Sequence, residues 1–262
     1  MAQICENAKF DFFFSADTEG VYAEYKKSWE PSVRYAAQVP CFDTATIMSW
    51  IAAATKNIGV VQTVSTAAIP PYLVARRMAT FDHLSNGRAG INIVTAFHSS
   101  ACENLSIDPY AYHHEHDLRY DRADEFLDVC YKLWNSWDEG AVIQDIDNDM
   151  FADPAKVHAI NHEGKFFKVA GPLNIHRSPQ GRPLIVQAGQ SSRGIAFAAK
   201  HAEAVFSIQR DAQGAKVYYD QLKEAMIKQG RQPEDCKVFF GVQFFEPPRD
   251  SRRLNSLRGL SH

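Results

Sequence analysis

The chain has no CxxC pair. Its five cysteines, Cys5, Cys41, Cys102, Cys130 and Cys236, are odd in number and widely scattered, which argues against a disulfide framework and for reduced thiols in a reducing compartment. None adjoins a plausible base, so structural thiols are expected before a nucleophile. No window reaches the roughly 18 apolar residues of a membrane span, and the N-terminus lacks the basic-then-apolar order of a secretion signal. A cytoplasmic protein is expected. The 28 basic and 31 acidic residues leave a formal charge of −3 with no block of one sign, which disfavours nucleic acid and anionic membranes as partners. Internal repeats, low-complexity tracts, a P-loop, a GxGxxG turn and an HExxH frame are all missing.

What the sequence does contain is the alternation of a βα-repeat enzyme. At 262 residues and 45% hydrophobic content, one sizeable core is expected. Leu73 to Thr95 reads as a helix with Val74, Met78 and Phe81 on one face, then a Ser85-Asn86-Gly87 stop, then a buried strand. Apolar runs predict strands at Phe10 to Phe14, Ile58 to Val64, Ala89 to Val94, Leu184 to Ala188, Ala204 to Ile208 and Val238 to Phe245. Helical patterns lie between most of them. Thr44 to Ala54 is expected to bury Ile47, Trp50 and Ile51, and Tyr120 to Trp137 to bury Ala123, Phe126, Leu127, Cys130, Leu133 and Trp134. Further helices are expected at Ser192 to His201 and Ala215 to Gln229. The chain is expected to begin almost directly on its first strand. Such alternation implies a parallel sheet with crossover helices. Residues 1–245 form the expected single domain, with an insertion at about 138–180 that breaks the rhythm and suits a lid, a binding segment or a surface excursion. The tail, Glu246 to His262, is divergent and expected to be disordered.

Candidate functional residues gather at expected strand ends, where barrel enzymes keep their chemistry. Asp17 follows the first strand, although it could equally cap a local turn. Thr63, with Ser65 and Thr66 beyond it, puts a hydroxyl at the end of a buried run, where threonine is also simply a good strand former. His113, His114, His116 and Asp117 are metal-compatible types in a spacing that fits no metal frame. His116 and Tyr120, four apart at a helix start, can instead present two hydrogen-bonding rings to one ligand. Gly189-Gln190-Ser191-Ser192-Arg193-Gly194 is a phosphate-shaped turn into a helix, and an ordinary serine N-cap would look similar.

The blocks FDFFFSAD, TVST, DHLSNGRAGINIVT, HDLRYDRADEFLDVCYKLWNSW, GPLNIHRSPQGRPLIVQAG and AEAVFS, in this order from about Lys9 to Phe245, resemble the bacterial-luciferase-like flavin monooxygenases. Within that family the likeness runs to the branch of nitrilotriacetate monooxygenase component A, dibenzothiophene-sulfone monooxygenase and pristinamycin synthase. The resemblance implies an α/β fold, a (β/α)8 TIM-barrel, here incomplete at both ends with the first and last strands missing. It implies a two-component enzyme that takes reduced FMN (FMNH2) from a separate NAD(P)H-dependent flavin reductase and uses O2 to oxygenate a small organic substrate, working as a dimer or higher homo-oligomer. The implied FMN contacts fall on Asp17, Thr63, His116, Tyr120 and Ser191, with Asn92 and Thr95 as further pocket residues and Phe97 and His98 as substrate contacts. No metal and no single acid-base residue is expected. Three other readings stay open: a truncated, catalytically impaired relative, a metal-dependent barrel hydrolase using the histidine cluster, and a deazaflavin barrel.

Overall fold

The computed structural model describes residues 1–95, 99–106 and 116–242, except the side chains of Ser99 and His116. His113, His114, Phe97, His98, the end of the last expected strand and the tail lie outside these residues. Six strands form one parallel sheet. They are β1 (Phe12–Phe14), β2 (Gly59–Ser65), β3 (Ala89–Val94), β8 (Leu184–Gln187), β9 (Ala204–Ser207) and β10 (Lys237–Phe240), hydrogen-bonded in the order β1-β2-β3-β8-β9-β10. All five neighbour pairs are parallel, which requires a crossover between successive strands.

Helices supply most of those crossovers. They are α1 (Ala2–Asn7), α2 (Glu30–Tyr35), α3 (Thr44–Ala54), α4 (Pro71–Ser85), α5 (Ser99–Asn104), α6 (His116–Trp134), α7 (Ser192–His201) and α8 (Ala212–Lys228). Asn86 ends α4 in the left-handed conformation at φ 55°, followed by Gly87 at φ 77°, the stop that Ser85-Asn86-Gly87 predicts. Alternation along β2 separates two packings. Val60 and Val64 join the core shared with Met48 of α3 and Met78 of α4, whereas Val61 packs with Val186 and Ala204 on the concave face. Across that face Phe12 of β1 meets Phe239 of β10 edge-on, with ring centroids 5.1 Å apart. Side chains of the two outermost strands therefore touch, and the sheet is a curled half-barrel.

Two expectations need correcting. Trp50 is not core but 77% exposed. The buried seam of α3 is Thr44, Met48 and Ala52 at spacings of four, and a residue two positions from Met48 is turned to the opposite side of the helix. The chain also does not begin on a strand. Helix α1 comes first, and the Glu6 carboxylate accepts from the backbone N–H groups of Lys56, Asn57 and Ile58, tying α1 to the entry of β2.

Between β3 and β8 in sequence lie two antiparallel pairs, β4 (Val142–Asp145) with β5 (Met150–Ala152) and β6 (His162–Glu163) with β7 (Lys168–Val169). The second is fastened to α6 through Glu125, which accepts from the Phe166 and Phe167 N–H groups and pairs with His162. No helix among the described residues is long and apolar enough to cross a membrane.

Candidate functional site

The carboxyl ends of β1, β2 and β3 bring Asp17, Thr63 and Asn92 together. Parallel register sets Thr63 beside Asn92, so their side chains share the concave face. The Thr63 hydroxyl donates to the Ser15 carbonyl at 2.7 Å and accepts from Asn92 Nδ2 at 3.1 Å. Asp17 uses one carboxylate oxygen to accept from the Thr18 N–H and the other to accept from Thr44 N–H and Oγ1. Thr44 also reaches the Thr63 carbonyl. Asp17 thus closes the N-terminus of α3, a structural task that leaves it at the strand tip. Glu19, two residues on, has its carboxyl pushed up by burial and by the Asp17 charge.

One atom in this corner is unsatisfied. Asn92 is 3% exposed, its Nδ2 is held by Thr63, and its Oδ1 is buried with no hydrogen-bond partner. Burying an acceptor without a donor costs about 1–3 kcal/mol, so such an atom is a natural place for a ligand N–H.

The β8 end builds a second group. Ser191 is the N-cap of α7, its hydroxyl accepting from Gly194 N–H at 3.0 Å. Gln187 accepts from Gly189 N–H, and the Tyr218 hydroxyl donates to the Gly189 carbonyl. Tyr120 reaches this turn from α6. A Cβ on Gly189 would stand 2.9 Å from the Tyr120 hydroxyl oxygen, and one on Gly194 2.8 Å from it. Both glycines are therefore needed for tyrosine and turn to meet, and the first N–H groups of α7 lie beside them, where an anion is favoured.

The structure thus joins Asp17 with Thr63 and Tyr120 with Ser191. The two groups sit at the carboxyl ends of strands in one sheet, with Asn92 and Val186 paired between them in register. His116 opens α6 four residues before Tyr120, and its side chain lies outside the described residues. Among the described residues, no group of three or more histidine, cysteine and acidic side chains is arranged to hold a metal.

Behind Tyr120, Asp124 of α6 gathers three donors from α7. They are Arg193 at 2.5 Å, Lys200 at 2.9 Å and His201 at 2.7 Å. Asp124 is partly buried, and these hydrogen bonds outweigh burial and hold its carboxyl far below the ordinary range. Burial keeps His201 below the usual imidazole range. The geometry agrees with a neutral ring that donates Nε2–H to Asp124 and accepts the Tyr131 hydroxyl at Nδ1, 3.2 Å away. The sequence reading missed this cluster, because Asp124 and its partners on α7 are separated by some 70 positions and follow no local pattern.

Comparison with known proteins gives this geometry a family. The profile described as luciferase-like monooxygenase matches residues 1–253. The long-chain alkane monooxygenase of Geobacillus thermodenitrificans (strain NG80-2) is 46% identical over 243 residues, covering 92% of this chain and 54% of that protein. Nitrilotriacetate monooxygenase component A of Aminobacter aminovorans is 38% identical over 254 residues, covering 96% of this chain and 55% of that protein. Among solved structures, a riboflavin lyase with modified FMN and its substrate riboflavin superposes with a TM-score of 0.87 at 34% identity, covering 98% of this chain and 57% of that one. The chain spans about half the length of the curated relatives it matches.

Proposed function

The chain belongs to the luciferase-like monooxygenase family, and from that premise we propose that it serves an FMN-dependent monooxygenase that oxygenates a small organic substrate with O2. Reduced FMN is supplied in this reading by a separate NAD(P)H-dependent flavin reductase, and the protein works as a homo-oligomer in the cytoplasm. The bound flavin supplies the reaction with dioxygen, and the chain's own residues hold it and exclude water.

The observation that carries this reading is the pairing of an orphaned acceptor with a glycine cradle. Asn92 Oδ1 offers a buried acceptor to a ring N–H, with Thr63 and Asp17 fixing the corner around it. At the other group, Tyr120, Ser191 and the first N–H groups of α7 suit a phosphate monoester. His116 is the fifth contact of the proposal. A flavin mononucleotide has both ends, a heterocycle with N–H donors and a phosphate, so the residues present fit the group. Support for FMN also comes from the riboflavin lyase, whose structure contains a modified FMN, and support for a separate reductase from a relative named as a component A.

Anaerobic titration of the purified protein with reduced FMN tests the reading. Saturable binding is expected, weakened at least about tenfold, or about 1.4 kcal/mol, by Asp17→Ala or His116→Ala. Absence of binding, or hydrolysis that requires a metal and no flavin, overturns it.

A further inference from the structure

A basic residue in the first turn of a helix opposes the helix dipole, so Arg193, two positions after Ser191, is the residue one would assign to a phosphate. Its geometry assigns it elsewhere. Arg193 Nη2 lies 2.9 Å from Asp121 and 2.5 Å from Asp124, both on α6, and the guanidinium carbon sits 5.5 Å from the centre of the Tyr120 ring. The nearby charges cancel, since Asp121 and Asp124 face Arg193 and Lys200 while His201 is neutral. The anion affinity of the turn is then left to backbone N–H groups and hydroxyls.

Asp124 follows Tyr120 by four residues on α6, so the two share a face. The Tyr120 ring is flanked by Arg193 on one side and by Phe197, with centroids 5.5 Å apart, on another. Its hydroxyl is thereby set against Gly189 and Gly194, where a displacement of a few tenths of an ångström in either direction closes or opens the cradle.

We infer that Asp124 and Arg193 are positioning residues for a flavin phosphate: Arg193 spends its charge on carboxylates and, through the Asp124 pair and the Tyr120 ring, fixes the shape of the turn that receives the anion. This rests on reading the Gly189 to Gly194 turn as the phosphate end. The consequence is a preference for FMN over riboflavin that depends on Arg193 without its touching the phosphate.

The test is anaerobic calorimetric titration of the intact protein and of its Arg193→Gln, Arg193→Lys and Asp124→Asn variants with photoreduced FMN and photoreduced riboflavin. Melting temperatures establish that each variant is folded. Arg193→Gln and Asp124→Asn are each expected to weaken FMN about tenfold and leave riboflavin unchanged, with the double variant no worse than either single one. Arg193→Lys is expected to recover part of the loss. If Asp124→Asn leaves FMN unchanged or binds it more tightly while Arg193→Gln weakens it, Arg193 contacts the phosphate itself and the inference is overturned. Equal FMN affinity in wild type and Arg193→Gln also overturns it, reducing the pair to a helix staple. Should Asp124→Asn fail to fold, the contrast between Arg193→Gln and Arg193→Lys decides. A wild-type protein that binds riboflavin as tightly as FMN sinks the reading of the turn itself, which distinguishes that failure from failure of the positioning role alone.

Discussion

Thr63 and Asn92 orient one another. The Thr63 proton is committed to the Ser15 carbonyl at 2.7 Å, so its oxygen can only accept, and Asn92 must present Nδ2 at 3.1 Å. That fixes the amide and leaves Oδ1 facing away with no partner. Thr63→Val keeps the shape of the side chain but strands both the Ser15 carbonyl and the Asn92 amide. We expect a loss of about 1–3 kcal/mol in denaturant unfolding, together with weaker binding of reduced FMN. Asn92→Ala is expected to weaken FMN as well while removing the buried orphan acceptor. An Asn92→Ala protein that binds reduced FMN as tightly as wild type would remove this atom from the site.

The meeting of Tyr120 with Gly194 makes a second prediction. A methyl group on Gly194 would come within 2.8 Å of the Tyr120 hydroxyl and 3.1 Å of both Gly189 Cα and Ser191 Oγ, so Gly194→Ala must displace something. Overpacking of this kind costs about 1–3 kcal/mol. Adding Tyr120→Phe deletes the nearest obstacle, and the double variant is expected to regain part of the lost melting temperature. If the two substitutions simply add, the contact is not the source of strain.

How much of this was legible beforehand depends on how far a feature reaches along the chain. Strand β3 and helices α3 and α7 have the expected bounds, because β-branched runs, caps and turn residues act within a few positions. The pairing of Asp17 with Thr44, and of Arg193 with Asp124, joins residues 27 and 69 positions apart. Nothing local marks such partners. Arg193 in particular looked like part of a phosphate turn, since its neighbours Ser191 and Gly194 carry that pattern while its neutralising carboxylates sit on another helix.

Trp50 shows the opposite failure, in which local chemistry misled. A tryptophan in an apolar helix invites burial, yet the seam of α3 runs through Thr44, Met48 and Ala52. Trp50→Ser is expected to change the stability of the monomer by no more than about 0.5 kcal/mol. Met48→Ala, fully buried two positions away, is expected to cost about 2–5 kcal/mol. Urea unfolding of both variants checks the pair. A large loss from Trp50→Ser in a strictly monomeric sample would contradict the exposed placement.

Asp124 supplies a pH dependence with a definite sign. Its carboxyl is held below its unfolded value by hydrogen bonds from His201, Arg193 and Lys200, against the opposing effect of burial. A group whose pKa is depressed on folding adds stability that is fully present above the unfolded value, about 3.9 for aspartate, and is lost as the pH falls toward the folded one. The wild-type protein should therefore exceed Asp124→Asn in stability by a constant margin near neutral pH. Below about pH 4 the margin should shrink, by at most about 1.4 kcal/mol per pH unit for a single proton. Denaturant midpoints of the two proteins measured at intervals from neutral to strongly acidic pH give the margin directly. A margin that stays constant through the acid range would mean that Asp124 carries no depressed pKa, and that its three donors on α7 contribute packing but no charge interaction.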